Sequence, residues 1–156
     1  MGNNRFFAVI LLIICGLYSS VGYADQHVTF TKESIAVQTG GEKHIFHTEI
    51  ATTEIQLQTG LMFRKNIDED SAMLFIFDNM PLINMWMKNT LIPLDMLFIG
   101  PDGKIVYIKH DAKPQSLDVI NAGALPVQAV MELKGGIAAK KHINIGDRVI
   151  YKAFRQ

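Results

Sequence analysis

The sequence predicts a mainly β, α+β fold: a single compact antiparallel β-barrel or sandwich-like domain carrying one or two short helices. Three observations lead there. Apolar runs are of strand length and are broken at frequent intervals by Gly, Pro, Asn and Asp. Segments long enough to carry a full helix between strands are missing, which argues against a parallel α/β sheet. Behind its N-terminal segment the chain is one domain long, enough to bury a core without staples.

The first residues stand apart. Arg5 supplies a short positive region, Phe6 to Leu17 is an apolar run containing Gly16, and Gly22-Tyr23-Ala24 places small residues before Asp25. This is the pattern of a cleavable secretory signal over residues 1–24, with residues 25–156 as the mature domain. The run falls short of the roughly 20 residues of a bilayer span, so no stable membrane span is expected after cleavage. An uncleaved N-terminal anchor is the lesser alternative. The sole cysteine, Cys15, leaves with the signal, and bulky Ile14 before it argues against lipoprotein processing. The mature chain then has no disulfide and no thiolate to serve as nucleophile or zinc ligand. A periplasmic or secreted protein is expected.

Within the mature part, His27 to Thr31 and Ser34 to Gln38 alternate as two short strands, and Gly40-Gly41 separates them from a third over Lys43 to Ile50. Thr52 or Thr53 can cap a short helix over 53–61, where Ile55, Leu57 and Leu61 are spaced among polar residues and Gly60 provides a stop. Asn66 to Asp70 is a polar loop. Met73 to Phe77 is continuously apolar, as a strand buried on both faces requires. Leu94 to Ile99 and Lys104 to His110 flank Gly100-Pro101-Asp102-Gly103, whose Pro and Asp-Gly predict a tight hairpin. Val127 to Leu133 is another strand, broken by Lys134-Gly135-Gly136. Ile137 to His142 makes one or two helical turns, and Gly146-Asp147 leads into a last strand, Arg148 to Phe154.

Several of these stretches together resemble a known family. Gly60-Leu61-Met62-Phe63-Arg64, Ala72 to Phe77, and the long run Trp86-Met87-Lys88-Asn89-Thr90-Leu91-Ile92-Pro93-Leu94-Asp95 continuing to Ile99 are similar to domain of unknown function 192 (DUF192). Asp102 to Val106, Val130 to Leu133 and Gly146 to Val149 continue the match in order, over roughly residues 45 to 152. The resemblance implies a small, mainly β, barrel-like or sandwich domain, often exported or membrane-anchored in bacteria, with no established activity. One departure is visible: Pro81-Leu82-Ile83-Asn84-Met85 is more apolar than the polar loop associated with the family there.

Polar groups set inside the apolar run Met85 to Ile99 mark the candidate site. Structurally, Asn89 and Thr90 shape a bend, while Asp95 must accept backbone N–H groups or pair with Arg64 or Lys88, because a buried carboxylate without a partner is costly. Functionally, Trp86, Met87, Lys88, Asn89 and Asp95 edge a pocket for a small polar ligand, with Arg64 as its anion-binding group and Glu132 as a further candidate. A non-enzymatic exported module binding a small polar ligand or a partner chain is the leading expectation. The alternatives are a small hydrolase or other enzyme using Asp95 and Glu132, and a periplasmic Cu(I) protein using the soft thioethers of Met80, Met85 and Met87.

The opposing readings are concrete. Met62, Met73, Met96 and Met131 lie in core-like runs where Met is ordinary filler. Glu132, alternating on a strand, reads as a solvated face. His44 and His47, three apart on a strand, point to opposite faces, and His27, His110 and His142 are isolated, so no metal site is expected from them. Ser34, Ser71 and Ser116 lack a nucleophile-elbow pattern, and Gly135-Gly136 lacks the Lys-Ser/Thr of a phosphate loop. No cofactor is expected. With 15 basic and 15 acidic side chains there is no global field to attract nucleic acid.

Overall fold

In a computed structural model, residues 28–78 and 82–154 are described. The signal features of residues 1–24, with Cys15, and also His27 and Met80 lie outside the described residues. Seven strands and two short helices follow in the order β1 (Thr31–Gln38), β2 (Lys43–Ala51), α1 (Glu54–Thr59), β3 (Ser71–Ile76), β4 (Leu94–Ile99), β5 (Ile105–Ala112), β6 (Ala129–Lys134), α2 (Ile137–Lys140) and β7 (Arg148–Ile150). They form one mixed sheet with strand order β5-β4-β6-β3-β2-β1-β7.

Of the two strands expected near the N-terminus only the second forms, extended back to Thr31, while Val28 to Phe30 carry no strand. β1 runs unbroken because its charged residues are carried on exposed strand positions: Lys32 stands 3.4 Å from Glu49 of β2, and Glu33 meets Lys152 at 2.8 Å. β1 and β2 pair antiparallel around Gly40-Gly41, closed by the Thr39 N–H donating to the Glu42 carbonyl at 2.9 Å. A second correction concerns topology. β2 and β3 are parallel, His47 opposite Ser71 through Ala51 opposite Phe75. Residues 52–70, containing α1, form the crossover that this pairing requires. The remaining pairings are antiparallel.

The sheet curls until its edges meet. Lys104 bridges to Arg148, the Val149 N–H donates to the Gly103 carbonyl, and the Ile105 N–H donates to the Asp147 carbonyl, both at 2.8 Å. The result is a curled half-barrel whose two faces bury separate cores. The enclosed face holds Val37, Phe46, Leu74, Leu97, Met131 and Val149, with Ile137 and Ala138 of α2. Beyond β7, a turn tucks Tyr151 and Phe154 into that core, so the last strand is shorter than its sequence suggests. The outer face holds Met73, Phe75, Met96, Phe98 and Val130. It is covered by Leu61 after α1, by Ile83 and Met87 from the β3–β4 connection and by Ile120 from the β5–β6 connection. Met85 and Ile120 pair across those two connections, exchanging backbone hydrogen bonds at 2.8 and 2.9 Å. The apolar residues Leu82 to Met85 therefore belong partly to this cover: Ile83 is buried, Met85 half-buried and Leu82 exposed.

Candidate functional site

Strand alternation decides which candidates can meet. On β4, Leu94, Met96 and Phe98 face outward, while Asp95, Leu97 and Ile99 face the enclosed core. Asp95 is fully buried there, and both its oxygens are taken. Oδ1 accepts from the Asp111 N–H at 2.9 Å and Oδ2 from the Ala138 N–H at 2.8 Å. The first bond has a local cause. The β4–β5 register slips between Leu94 and Met96, leaving an extra residue on β5 around Asp111, which sits at φ 44°. A bulge strands a backbone donor, and Asp95 accepts it. The expected pairing of Asp95 with Arg64 or Lys88 is thus corrected in favour of the backbone alternative, and Asp95 does not edge the pocket.

Arg64 lies on the other side of the sheet. Its Nη2 pairs with Glu49 Oε2, and its guanidinium carbon lies 5.8 Å from the centre of the Phe30 ring. Glu49, Met73, Glu132 and Met96 stand opposite one another on successive strands, so they make one row across the outer face. Glu132 is in the middle of it. At 4 % exposure it is a buried carboxyl, which corrects the expectation of a solvated face. The signal was present in its flanks: Val130, Met131 and Leu133 make β6 a central strand apolar on both sides.

Glu132 lines a cavity of about 80 Å³. Its walls come from Leu57 to Met62, which follow the α1 cap, from Phe75 and Phe77, and from Asn84 to Trp86 with Lys88 and Thr90. Trp86 is 51 % exposed at the mouth, and Lys88 Nζ lies 5.3 Å from the centre of its ring. Two residues in left-handed backbone hold the rim together. Phe63 at φ 63° donates its N–H to the carbonyl of Asn89 at φ 55°, at 2.8 Å, and Asn89 Nδ2 lies 3.8 Å from Met62 Sδ. Met87 is fully buried beneath the rim, donating its N–H to the Ser116 carbonyl.

Of the seven candidates, then, Trp86, Lys88 and Glu132 line one cavity, and Asn89 braces its rim. Met87 is core, Arg64 is committed to Glu49, and Asp95 faces away. Leu57 to Met62 and Glu49 were not legible as parts of the site, because an ordinary helix and an alternating strand contain no mark of what they will face. Glu132 makes no side-chain hydrogen bond among the described residues, and burial pushes its pKa up to about 8, against the opposing pull of the Arg64 charge. Asp95 and Glu132 point to opposite faces of the sheet and do not form a carboxylate pair. Among the described residues no group of three or more His, Cys, Asp or Glu side chains could hold a metal ion. Of the methionines expected to hold copper, Met85 lines the cavity and Met87 is buried core.

Solved structures share this fold. A solved structure from Novosphingobium aromaticivorans, of unknown function, is 33 % identical, covers 77 % of this chain and 85 % of its own, and superposes with a TM-score of 0.74. A second, from Sinorhizobium meliloti and described as a proposed transcription regulator, is 39 % identical over 79 % of this chain and 95 % of its own, with a TM-score of 0.75. No curated protein matches. The family model described as "Uncharacterized ACR" matches residues 35–151, from β1 to the turn after β7, and the chain belongs to that family, DUF192.

Proposed function

We propose that this domain is an exported, non-enzymatic module that binds one small polar ligand in the cavity over the outer face of β3 and β6. One observation carries the reading: a buried carboxyl, Glu132, stands without a side-chain partner among the described residues in a cavity with aromatic walls and an open mouth. An apolar residue at that position would be cheaper for the fold, since a buried ionisable group without a partner works against stability. A ligand would supply the partner. Aromatic walls with a few placed polar groups suit a small-molecule site.

Export is proposed from the pattern of residues 1–24; among the described residues no helix is long and apolar enough to cross a membrane. The equal numbers of acidic and basic side chains leave no basic field for nucleic acid. The binding reading is tested by a thermal-shift screen of small polar compounds on wild type and Glu132→Leu. A compound that stabilises only the wild type, without being turned over, supports it. A screen in which both proteins respond alike, or in which product forms, removes it. Intact mass of the exported protein tests the compartment, with an N-terminus at Asp25 expected and one at Met1 excluding cleavage.

A further inference from the structure

The cavity is chemically polarised. Among its described lining residues only Glu132 and Lys88 are ionisable, the first buried at the floor and the second exposed at the mouth. Arg64, the other cation that acts on Glu132, is held by Glu49, two strands away in the same register row, so among the described residues Glu132 has no countercharge of its own. The rings of Phe75 and Phe77 and the side chains of Leu57, Leu61 and Met85 line the same cavity, with Gln58, Thr59, Asn84 and Thr90 as its uncharged polar side chains, and Trp86 stands at the mouth. A cavity of mixed lining, with a buried acid and an exposed ammonium joined by aromatic and aliphatic side chains, is complementary to one kind of molecule.

Resting on the reading of this cavity as a ligand site, we propose that the ligand is a short ω-amino acid, its primary ammonium seated at Glu132 and its carboxylate left at the mouth beside Lys88. The ammonium offers what the floor lacks, a positive charge and hydrogen-bond donors directed at a carboxylate. The aromatic walls tolerate a passing cation through their negative ring faces, and a short methylene chain packs against Phe75, Phe77 and Leu61. Lys88, poised over Trp86, meets the anionic end where water still reaches it. An amine without that end would bind by its head alone, and an acid without the amine would bring a second carboxylate towards Glu132. Because burial keeps Glu132 as the neutral acid at neutral pH, seating an ammonium transfers the Glu132 proton to solvent. One proton leaves as one ion pair forms.

Trp86 is the only tryptophan of the chain, so its fluorescence reports on this mouth alone. The experiment titrates the mature protein with 4-aminobutanoate, n-butylamine, butanoate and butanamide between pH 6 and 9, reading Trp86 emission and binding calorimetry. Expected are strongest binding of 4-aminobutanoate, binding of butylamine about tenfold weaker and no binding of butanoate. Affinity for the amines should fall about tenfold per pH unit below 8, with one proton released to buffer. Glu132→Gln should lose binding of both amines, while Lys88→Met should lose only the preference for 4-aminobutanoate over butylamine. Tight binding of butanamide, or amine binding that ignores pH, overturns the cation assignment while leaving the pocket as a ligand site. Silence of Trp86 towards all four probes also overturns it, and the wider screen on Glu132→Leu then decides separately whether any ligand is bound.

Discussion

Two buried carboxylic acids sit on adjacent strands of this sheet, and their surroundings give them opposite roles. Asp95 has two backbone donors, so its burial is balanced and it serves as a cross-brace between the β5 bulge and α2. Asp95→Ala would leave one buried and one partly buried N–H group unpaired and should cost about 2–4 kcal/mol in chemical denaturation. A double-mutant cycle of Asp95→Asn with Arg64→Met should show coupling below about 0.5 kcal/mol, since the two residues share neither face nor partner. A coupling of several kcal/mol would contradict the placement of Asp95. Glu132 behaves differently. Its pKa stands near 8 in the folded chain against an ordinary 4.5, so between those values the unfolded state releases a proton that the native state keeps. Stability should therefore fall as pH rises from about 4.5 to 8, by up to about 1.4 kcal/mol per unit, and level off above. Glu132→Gln should remove that component, its advantage over wild type growing across the same window. A constant difference at all pH values would mean that Glu132 titrates as an exposed acid.

At the scale of elements, the cavity wall depends on how α1 begins and ends. Thr53 Oγ1 accepts the Gln56 N–H at 3.4 Å while Gln56 Oε1 accepts the Thr53 N–H at 3.1 Å, a reciprocal cap for a helix of only six residues. Thr53→Ala should cost about 1 kcal/mol and loosen Leu57 to Met62, which Trp86 fluorescence can follow. Gly60 ends the helix at φ 46°, and a Cβ there would lie 3.0 Å from the Phe75 ring. Gly60→Ala should thus disturb both the turn and an aromatic wall. Much at this scale was legible. The β4 limits, the helix near 53–61 and the Asp102-Gly103 hairpin are written in local periodicity, capping and turn chemistry. The parallel β2–β3 pair was not, since strand partnership is set by the far side of the sheet rather than by either strand's own pattern. The same holds for the site. Trp86 and Lys88 announce themselves in one run, but whether Asp95 or Glu132 faces them depends on sheet side, which the alternation of β4 and β6 fixes only once their pairing is known.

The whole molecule depends on one seam. The three central strands β6, β3 and β2 reach the sheet's edges only through β4 and β1, and the edges themselves are tied by a few backbone bonds around Gly103 and Val149. Gly103 stands at φ 80°, its carbonyl accepts the Val149 N–H, and a Cβ added there would sit 2.8 Å from the Val149 carbonyl oxygen and 3.3 Å from Phe154 Cβ. The obstacle is backbone that another hydrogen bond holds in place, so it cannot swing aside as a long side chain would. Left-handed backbone adds its own cost for any residue with a Cβ. Gly103→Ala should therefore lower stability by about 2–3 kcal/mol. The loss should also be uneven. The amides of Ile105, Gly146 and Val149, which donate across the seam, should lose protection from hydrogen exchange. Those of β3 and β6, paired on both sides in the middle of the sheet, should fall only as far as global stability does. Because the cavity is built over β3 and β6, the variant should keep ligand response under native conditions while its edges open more often. If Gly103→Ala instead abolished that response at temperatures where the protein remains folded, the seam would be coupled to the site through the sheet's curvature, and the two faces could not be treated as separate cores.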